Sequence, residues 1–334
     1  MAAPGIFVAI AAYTDPELPR TLSDAIDQAR DAEALRFGIC WQSDPDRPVD
    51  LDRFRRDGRF RFVDKTIQES RGGPWARNIA QSLWRGEPYT LQVDSHMKFE
   101  PDWDARLVEM LESMPSEKPI LSMNAPLFWY GEDGSLHRQH AMGVPTTKVR
   151  GWDEGTQWAP WFDFGPPNAQ EPGRTRFVNG NFAFTRGIWN VEVPQDPEHY
   201  YWGEEFNITL RSFTWGYDLF LPTEVVAWHM HHQGGPPRRH WEHGEDTVRA
   251  RSSAALERLH RLLFAEEGDR FGPFGLGRAR TLRDYEVYSG FDFRRRVAHP
   301  DVFTGANPDP VTIHDEGDWA RCLSWADFER GLGG

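Results

Sequence analysis

Short apolar runs alternate with amphipathic stretches along the first half of the chain. The runs are continuous, as expected of parallel strands buried on both faces, and they are Ile6–Ala11, Phe37–Trp41, Phe60–Val63, Tyr89–Val93 and Ile120–Met123. Between them, apolar residues recur at helical spacing after Thr21, Pro74 and Trp103. This order predicts an α/β fold with a mostly parallel, Rossmann-like sheet, flanked by helices and joined by right-handed crossovers.

Two local signals predict where helices begin in this region. Thr21 and Asp24 have the spacing of a capping box, so we expect the first helix to begin at Thr21. Pro74 is expected in the first turn of the second helix, where the missing N–H of proline costs no helical hydrogen bond.

The second half of the chain is less regular. Residues 131–176 are rich in glycine, proline and aromatic side chains and show no sustained period. After this region the pattern predicts three strands, Phe177–Phe184, Leu219–Leu221 and Val225–Trp228. It also predicts two helices, Glu204–Phe213 and Glu245–Phe264. Beyond Gly268 the chain is polar and glycine-rich, and the pattern predicts no element there.

Composition and charge exclude several classes of protein. A hydrophobic content of 39% with 27% charged residues is typical of a folded globular chain. The formal net charge of −13, without a run of Lys or Arg, argues against a nucleic-acid partner. An anionic substrate would therefore need a metal ion or local arginines to offset the negative charge.

The cysteine content and the N-terminal region indicate in which cellular compartment the protein is expected. Cys40 and Cys322 are too few and too far apart for a disulfide framework. The apolar run Ile6–Ala12 is too short for a signal peptide or a membrane span. We therefore expect a cytoplasmic protein without a membrane span.

Candidate metal ligands follow two of the predicted strands. Asp94 and His96 come directly after Tyr89–Val93, and ligands of open α/β sheets bind outside the carboxyl ends of strands. A histidine cluster, His229 with His231 and His232, follows the later strand and could supply another ligand. Carboxylate and imidazole ligands with open positions suit Mn²⁺ and tolerate Mg²⁺. A closed zinc site is not expected, because no cysteine is close in sequence.

Charged residues at two helix starts are candidates for substrate binding. Arg71 and Arg77 flank a Gly-Gly-Pro turn, where two guanidinium groups and a helix N-terminus could hold a phosphate or a ribose. Glu204 and Glu205 follow Trp202 and a glycine, where a carboxylate could contact a sugar hydroxyl or simply cap the helix.

A short asparagine-rich segment lies on the predicted strand Phe177–Phe184. Gly180 permits close approach of a ligand, and its neighbours Asn179 and Asn181 can both donate to and accept from hydroxyl groups. A structural bulge would explain the same three residues.

Taken together, these motifs resemble the GlcNAc-transferase family that modifies hydroxyproline on Skp1 in protists. The similarity covers approximately residues 5–245 and is carried by the run from Leu91 to Met97, by the run from Ala11 to Leu18, by Gly73-Pro74-Trp75-Ala76-Arg77 and by Trp103-Asp104. The chain is also distantly similar to the polypeptide GalNAc-transferases, which share an Asp-x-His turn, a later Trp-Gly-x-Glu segment and a final histidine ligand. By that similarity, the spacing from Glu204 favours His229 over His231 and His232.

The resemblance implies a GT-A fold, a UDP-sugar donor with GlcNAc as the first choice, a divalent cation and retention of anomeric configuration. It implies Asp94, His96 and His229 as ligands of Mn²⁺ or Mg²⁺. Glu204 or Glu205 would contact the donor sugar or the acceptor, and both are candidate catalytic residues. It also implies that Ala11 and Tyr13 line the uridine pocket and that Arg77 faces the donor. From the motifs themselves we expect five further donor-binding residues, which are Arg71, Ser95, Asn179, Gly180 and Asn181.

The expected organisation is a GT-A catalytic domain over residues 1–265 and an extension over 266–334 that packs on it or forms a lid. The acceptor is expected to carry a hydroxyl group on a peptide, a glycan or a small molecule. Three other functions fit parts of the pattern. They are a metal-dependent nucleotidyltransferase, a hydrolase centred on the histidine cluster, and a non-catalytic carbohydrate-binding protein.

Overall fold

The structure, a computed structural model, describes residues 5–152, 160–230, 244–264 and 271–332. Its strands are β1 (Ile6–Tyr13), β2 (Leu35–Ser43), β3 (Phe60–Thr66), β4 (Tyr89–Asp94), β5 (Met97–Phe99), β6 (Pro119–Ser122), β7 (Phe128–Tyr130), β8 (Leu136–Arg138), β9 (Pro145–Trp152), β10 (Pro160–Pro167), β11 (Phe182–Arg186), β12 (Asp218–Phe220), β13 (Ala227–His229), β14 (Phe291–Asp292) and β15 (Val297–Ala298).

The helices are distributed along the whole chain. They are α1 (Leu18–Asp27), α2 (Asp52–Arg55), α3 (Gly73–Gln81), α4 (Trp103–Ser113), α5 (Trp189–Glu192), α6 (Glu204–Thr214), α7 (Glu245–Leu263), α8 (Leu282–Ser289), α9 (Pro300–Thr304), α10 (Glu316–Ala320) and α11 (Trp325–Leu332), with 3₁₀ turns at Ala32–Ala34 and Gly272–Phe274. Within the described ranges, no helix combines the length and the apolar character that crossing a membrane requires.

A seven-stranded sheet forms the centre of the molecule, in the order β12-β6-β11-β4-β1-β2-β3. Strand β11 runs antiparallel to β4 and β6, and the other neighbouring pairs are parallel. The predicted α/β fold with a mostly parallel sheet is therefore confirmed. The continuous apolar runs made it predictable, because helices cover both faces of these strands.

Strand β1 shows how the two faces are used. Ile6, Val8 and Ile10 lie in the core on the face covered by α1 and α4, while Phe7 and Ala9 lie on the other face, against α3. This alternation follows from the two-residue period of a strand. Because β1 is central, its carboxyl end opens onto one edge of the sheet together with the end of β4.

The predicted start of the first helix was wrong. Helix α1 begins at Leu18, so Thr21 lies inside it rather than at its N-cap. The Thr21 hydroxyl accepts a hydrogen bond from the Met97 amide at 2.9 Å, and the Asp24 carboxylate accepts one from the Phe99 amide at 2.7 Å. The two side chains with capping-box spacing therefore hold β5 in place, which is a tertiary role that local spacing does not reveal.

The C-terminal segment packs against α6. Its aromatic side chains share a buried cluster with Phe206 and Phe213 of that helix, and they are Tyr285, Tyr288, Phe291, Phe293, Phe303 and Phe328. This segment thereby helps to fix the helix that begins with Glu204 and Glu205. The boundary that we predict between residues 265 and 266 stays a prediction.

Candidate metal centre and active site

Three candidate ligands converge at the carboxyl end of β4. Asp94 ends β4, His96 lies in the turn to β5, and His229 is the last residue of β13. One ligand atom of each lies within 4.8 Å of the others, and this is the one such group of three among the described residues. His229 Nε2 is 3.2 Å from Asp94 Oδ2, and the two imidazole rings are centred 4.7 Å apart.

This donor set fits a divalent cation. One carboxylate and two imidazoles suit Mn²⁺, and open positions would remain for other ligands. Two ligands at right angles on an ion, with bonds of about 2.1 Å, lie about 3.0 Å apart. The separation of 3.2 Å between His229 Nε2 and Asp94 Oδ2 is close to that value.

Backbone pairing brings His229 to the turn. Strand β13 is antiparallel to β5, with His229 opposite Met97. The Met230 amide donates to the His96 carbonyl at 3.0 Å, and the His229 amide donates to the Pro126 carbonyl at 2.8 Å. Strand β13 begins two residues later and ends one residue later than the predicted strand Val225–Trp228, so that His229 lies in the strand rather than after it. His231 and His232 lie outside the described residues.

Arg77 links this group to helix α6. Its Nη2 donates to Asp94 Oδ1 at 2.9 Å, and its Nη1 is 2.8 Å from Glu204 Oε1. The side chain projects from α3 and is buried. Burial works against its charge, but Glu204 and Asp94 outweigh burial and raise the pKa of Arg77. The guanidinium therefore stays charged inside the site.

Asp94 is held as a carboxylate. Burial alone would raise its pKa, yet Arg77 and the hydrogen bond with His229 hold the pKa of Asp94 well below its usual range. An ionised carboxylate with one oxygen on an arginine and the other facing an imidazole is ready to coordinate a cation without first losing a proton.

The two glutamates at the start of α6 diverge, as expected for adjacent side chains. Glu204 faces Arg77, while Glu205 Oε1 accepts a hydrogen bond from the Gly180 amide at 2.9 Å. Burial raises the pKa of both carboxyls, that of Glu205 to about 7. Glu204 Oε2 is buried and has no hydrogen-bond partner among the described residues.

The asparagine-rich segment precedes its predicted strand. Strand β11 begins at Phe182, so Asn179, Gly180 and Asn181 form the loop that leads into it. Asn179 is buried, with Nδ2 unpaired in the described part of the chain. A Cβ on Gly180 would lie 3.0 Å from the Arg77 guanidinium, so the missing side chain makes room for that group. Asn181 instead bonds to Asn124 at 2.9 Å.

The remaining predicted donor-site residues lie near the same edge. Ala11 pairs in register with Asp94, and Tyr13 is the last residue of β1. The Ser95 hydroxyl donates to the carboxylate of Asp15 at 2.5 Å rather than turning outward. Arg71 is exposed in the loop before α3 and lies outside the ion pairs that Arg77 makes.

Asp15 is a site residue that our reading of the sequence missed. Its Oδ2 is 2.6 Å from Nδ1 of His96. Burial opposes the charge of both groups, but the pairing lowers the pKa of Asp15 and raises that of His96. A signal was present, because Asp15 follows a central strand at the same sheet edge as Asp94.

Comparison with known proteins gives a family and a fold. The chain matches the family described as Glycosyltransferase (GlcNAc) over residues 5–55 and 47–295. No curated protein matches it by sequence. The structure of GalNAc-T7 with UDP, GalNAc and Mn²⁺ is similar, at 15% identity and a TM-score of 0.53, over 70% of this chain and 45% of that one. This chain thus spans less than half the length of that neighbour.

Two structures of TarS from S. aureus, comprising residues 1–349, are more remote. The first has 11% identity and a TM-score of 0.42 over 68% of this chain and 60% of TarS. The second, in complex with UDP-GlcNAc, has 11% identity and a TM-score of 0.44 over 79% and 68%. With the family match over most of its length and the topology described above, this chain belongs to the glycosyltransferase (GlcNAc) family and has a GT-A fold.

Proposed function

We propose that this protein transfers a sugar, GlcNAc as the first choice, from a UDP-sugar to a hydroxyl acceptor with the help of a divalent metal ion. The observation that carries the proposal is the convergence of Asp94, His96 and His229 at the carboxyl end of β4. The family match and the UDP, GalNAc and Mn²⁺ of the GalNAc-T7 structure support it. The nucleotidyltransferase, hydrolase and carbohydrate-binding functions have no comparable support.

Asp94, His96 and His229 are the residues that would hold Mn²⁺ or Mg²⁺. When bound there, the ion supplies positive charge that stabilises the diphosphate as it leaves. Arg77 fixes the orientation of Asp94 through the hydrogen bond to Oδ1, which leaves Oδ2 for the ion. Ala11 and Tyr13, at the end of β1, would line the uridine pocket.

The two glutamates would have separate roles. Glu204 has a buried oxygen without a partner among the described residues, so it is the carboxylate available to accept a hydrogen bond from a donor-sugar hydroxyl. Glu205 uses Oε1 to hold the Gly180 amide and thereby positions the loop of Asn179 and Asn181. Glu204 is therefore our first choice for contact with the sugar.

The reaction would proceed with retention. The bond between the anomeric carbon and the phosphate oxygen breaks, and the acceptor oxygen bonds to that carbon on the face that the phosphate leaves. The acceptor proton passes to the departing phosphate. Asp94 and Glu204 are both paired with Arg77, so we assign neither as a covalent nucleophile. The acceptor class, whether peptide, glycan or small molecule, stays open to a screen, and hydroxyproline is one member of that screen.

A panel of UDP-sugars with and without Mn²⁺ tests the proposal. We expect Mn²⁺-dependent release of UDP, fastest with UDP-GlcNAc, and a loss of at least about 1,000-fold in Asp94→Ala. Asp218→Ala is the matched control, because Asp218 is a similarly buried carboxylate paired with Arg280 at 2.6 Å, on the edge strand β12. Undiminished Mn²⁺-dependent turnover in Asp94→Ala would contradict the assigned site, and turnover of nucleoside triphosphates alone would favour a nucleotidyltransferase.

A further inference from the structure

Asp15 lies beside the candidate metal ligands without belonging to them. The Asp15 side chain is 9% exposed, and its Oδ2 lies 2.6 Å from Nδ1 of His96. We infer that Asp15 is a positioning residue, which fixes the ring and the tautomer of His96 so that Nε2 faces the metal ion. The inference rests on the proposed function, because it needs the metal centre of Asp94, His96 and His229.

The carboxylate of Asp15 is itself held rigidly. The Glu17 amide donates to Oδ1 at 2.8 Å, and the Ser95 hydroxyl donates to Oδ2 at 2.5 Å. The preceding residue, Thr14, has a φ of +48° and donates its amide to the Gln42 carbonyl on β2 at 2.9 Å. A side chain with both oxygens engaged and its backbone tied to the sheet can act as a fixed acceptor for a neighbouring imidazole.

The contact decides which nitrogen of His96 is left for an ion. A neutral imidazole carries one proton, and a carboxylate acceptor at Nδ1 places the proton there. Nε2 then keeps its lone pair, and a metal ion binds through this lone pair. Histidine ligands commonly donate their other N–H to a carboxylate, and loss of that partner typically costs 10- to 100-fold in metal affinity.

Without Asp15, fewer contacts would restrain the orientation of the His96 ring. The imidazole is 31% exposed, so its own packing restrains it less than the buried ring of His229 is restrained. On the β5 side, the backbone of the turn is fixed independently by the Thr21 hydroxyl at the Met97 amide. Asp15 therefore sets the side chain of His96, whereas Thr21 sets the backbone beside it.

Isothermal titration of the metal-free protein with Mn²⁺ tests this division. We expect Asp15→Ala to weaken Mn²⁺ binding by about 10- to 100-fold and Asp15→Asn, which keeps an acceptor oxygen, to weaken it less. Thr21→Val is the matched control. It removes the hydroxyl at the Met97 amide from the same turn without touching His96 Nδ1, and we expect its affinity to stay within about 2-fold of the starting protein.

A second readout needs no metal and no turnover. Long-range ¹H–¹⁵N spectra of the neutral form of His96 should show the proton on Nδ1 in the starting protein and a shift towards Nε2–H in Asp15→Ala. A merely structural role of Asp15 would leave this tautomer unchanged in the molecules that remain folded.

The outcomes separate the inference from the function on which it rests. If His96→Ala loses Mn²⁺ binding while Asp15→Ala binds like the starting protein with an unchanged His96 tautomer, the inference is overturned and the metal centre stands. If Asp94→Ala and His96→Ala both bind Mn²⁺ normally, the metal centre itself is wrong, and the role of Asp15 falls with it.

Discussion

Arg77 and Arg176 are both buried arginines, and their surroundings accommodate the positive charge in opposite ways. Arg77, between α3 and α6, pairs with the carboxylates of Asp94 and Glu204, which raise its pKa. Arg176 donates to the carbonyls of Ser289 and Ala306 and to the Thr312 hydroxyl. Burial among these neutral groups lowers the pKa of Arg176 to about 10.

The difference shows that burying a charge does not by itself mark a functional site. The contacts of Arg176 join the segment before β11 to the C-terminal segment, and they use neutral acceptors. Around Arg77, by contrast, carboxylates and imidazoles face one point, and Glu204 keeps an oxygen without a partner in the described part of the chain. A buried polar atom without a hydrogen-bond partner can still bind a ligand, whereas a polar group whose hydrogen bonds are all made within the fold only stabilises the structure.

The largest effect is expected from Arg77→Met. Removing the guanidinium leaves Glu204 without its cation and Asp94 with only His229 as a partner, so the free energy of unfolding should fall by about 3 kcal/mol. UDP-sugar turnover per folded molecule should fall at least about 1,000-fold, since Asp94 loses its fixed orientation. Urea unfolding and Mn²⁺-dependent UDP release check the two parts. Turnover within a few-fold of the starting protein would show that Arg77 is only a structural ion pair.

Arg176→Met should affect stability alone. The carbonyls of Ser289 and Ala306 lose a charged donor, and we expect the free energy of unfolding to fall by about 3 kcal/mol. UDP release per folded molecule should stay within about 2-fold, because the hydrogen bonds of Arg176 to described residues go to Ser289, Ala306 and Thr312 and not to the candidate ligands. The same two assays apply, and a large loss of turnover at intact stability would remove the contrast between the two arginines.

Glu205→Gln tests the electrostatics around Arg77 through the pH dependence of stability. The pKa of Glu205 is raised from 4.5 in an unburied state to about 7 in the fold. Its contribution to stability is therefore complete below pH 4.5 and is lost as the pH rises to about 7. Glutamine keeps the acceptor for the Gly180 amide without the charge. We expect the variant to unfold like the starting protein at about pH 4 and to be more stable by roughly 1–3 kcal/mol at about pH 8. If the difference in the free energy of unfolding between the variant and the starting protein does not change with pH, the pKa of Glu205 is not raised.

The smallest effect is expected from Gly180→Ala. The added Cβ would lie 3.0 Å from Nη1 of Arg77, so the guanidinium must move by a few tenths of an ångström. We expect UDP release to fall by about 10-fold with less than about 1 kcal/mol lost from the free energy of unfolding. Gly58→Ala is the control, since an added Cβ there meets no atom within 4 Å. Equal turnover in the two variants would mean that the position of Arg77 is not critical.

The central sheet and the position of the turn that carries the candidate ligands Asp94 and His96 were both predictable from the same pattern. Strands buried on both faces have continuous apolar sequences, and the turn of Asp94 and His96 directly follows one of these strands. Glu204 could be predicted as a helix start, but its pairing with Arg77 could not.

What was missed depends on contacts between distant parts of the chain. Asp15 and His96 are 81 residues apart, and only the packing of the loop after β1 against the turn after β4 brings them together. The C-terminal aromatics likewise have no shared period, because they are distributed over several short elements, from α8 to α11, instead of lining one face of a long helix. The spacing of Thr21 and Asp24 was misleading for the same reason, since both side chains serve β5.

The central claim is that Asp94, His96 and His229 form one metal centre that holds a UDP-sugar. The most direct measurement is a crystal structure with Mn²⁺ and UDP, using anomalous scattering to locate the ion. We expect a manganese peak about 2.1–2.3 Å from an oxygen of Asp94, from Nε2 of His96 and from His229, with diphosphate oxygens completing its coordination. A manganese peak elsewhere, or UDP bound at this edge with no manganese on these three side chains, would contradict it.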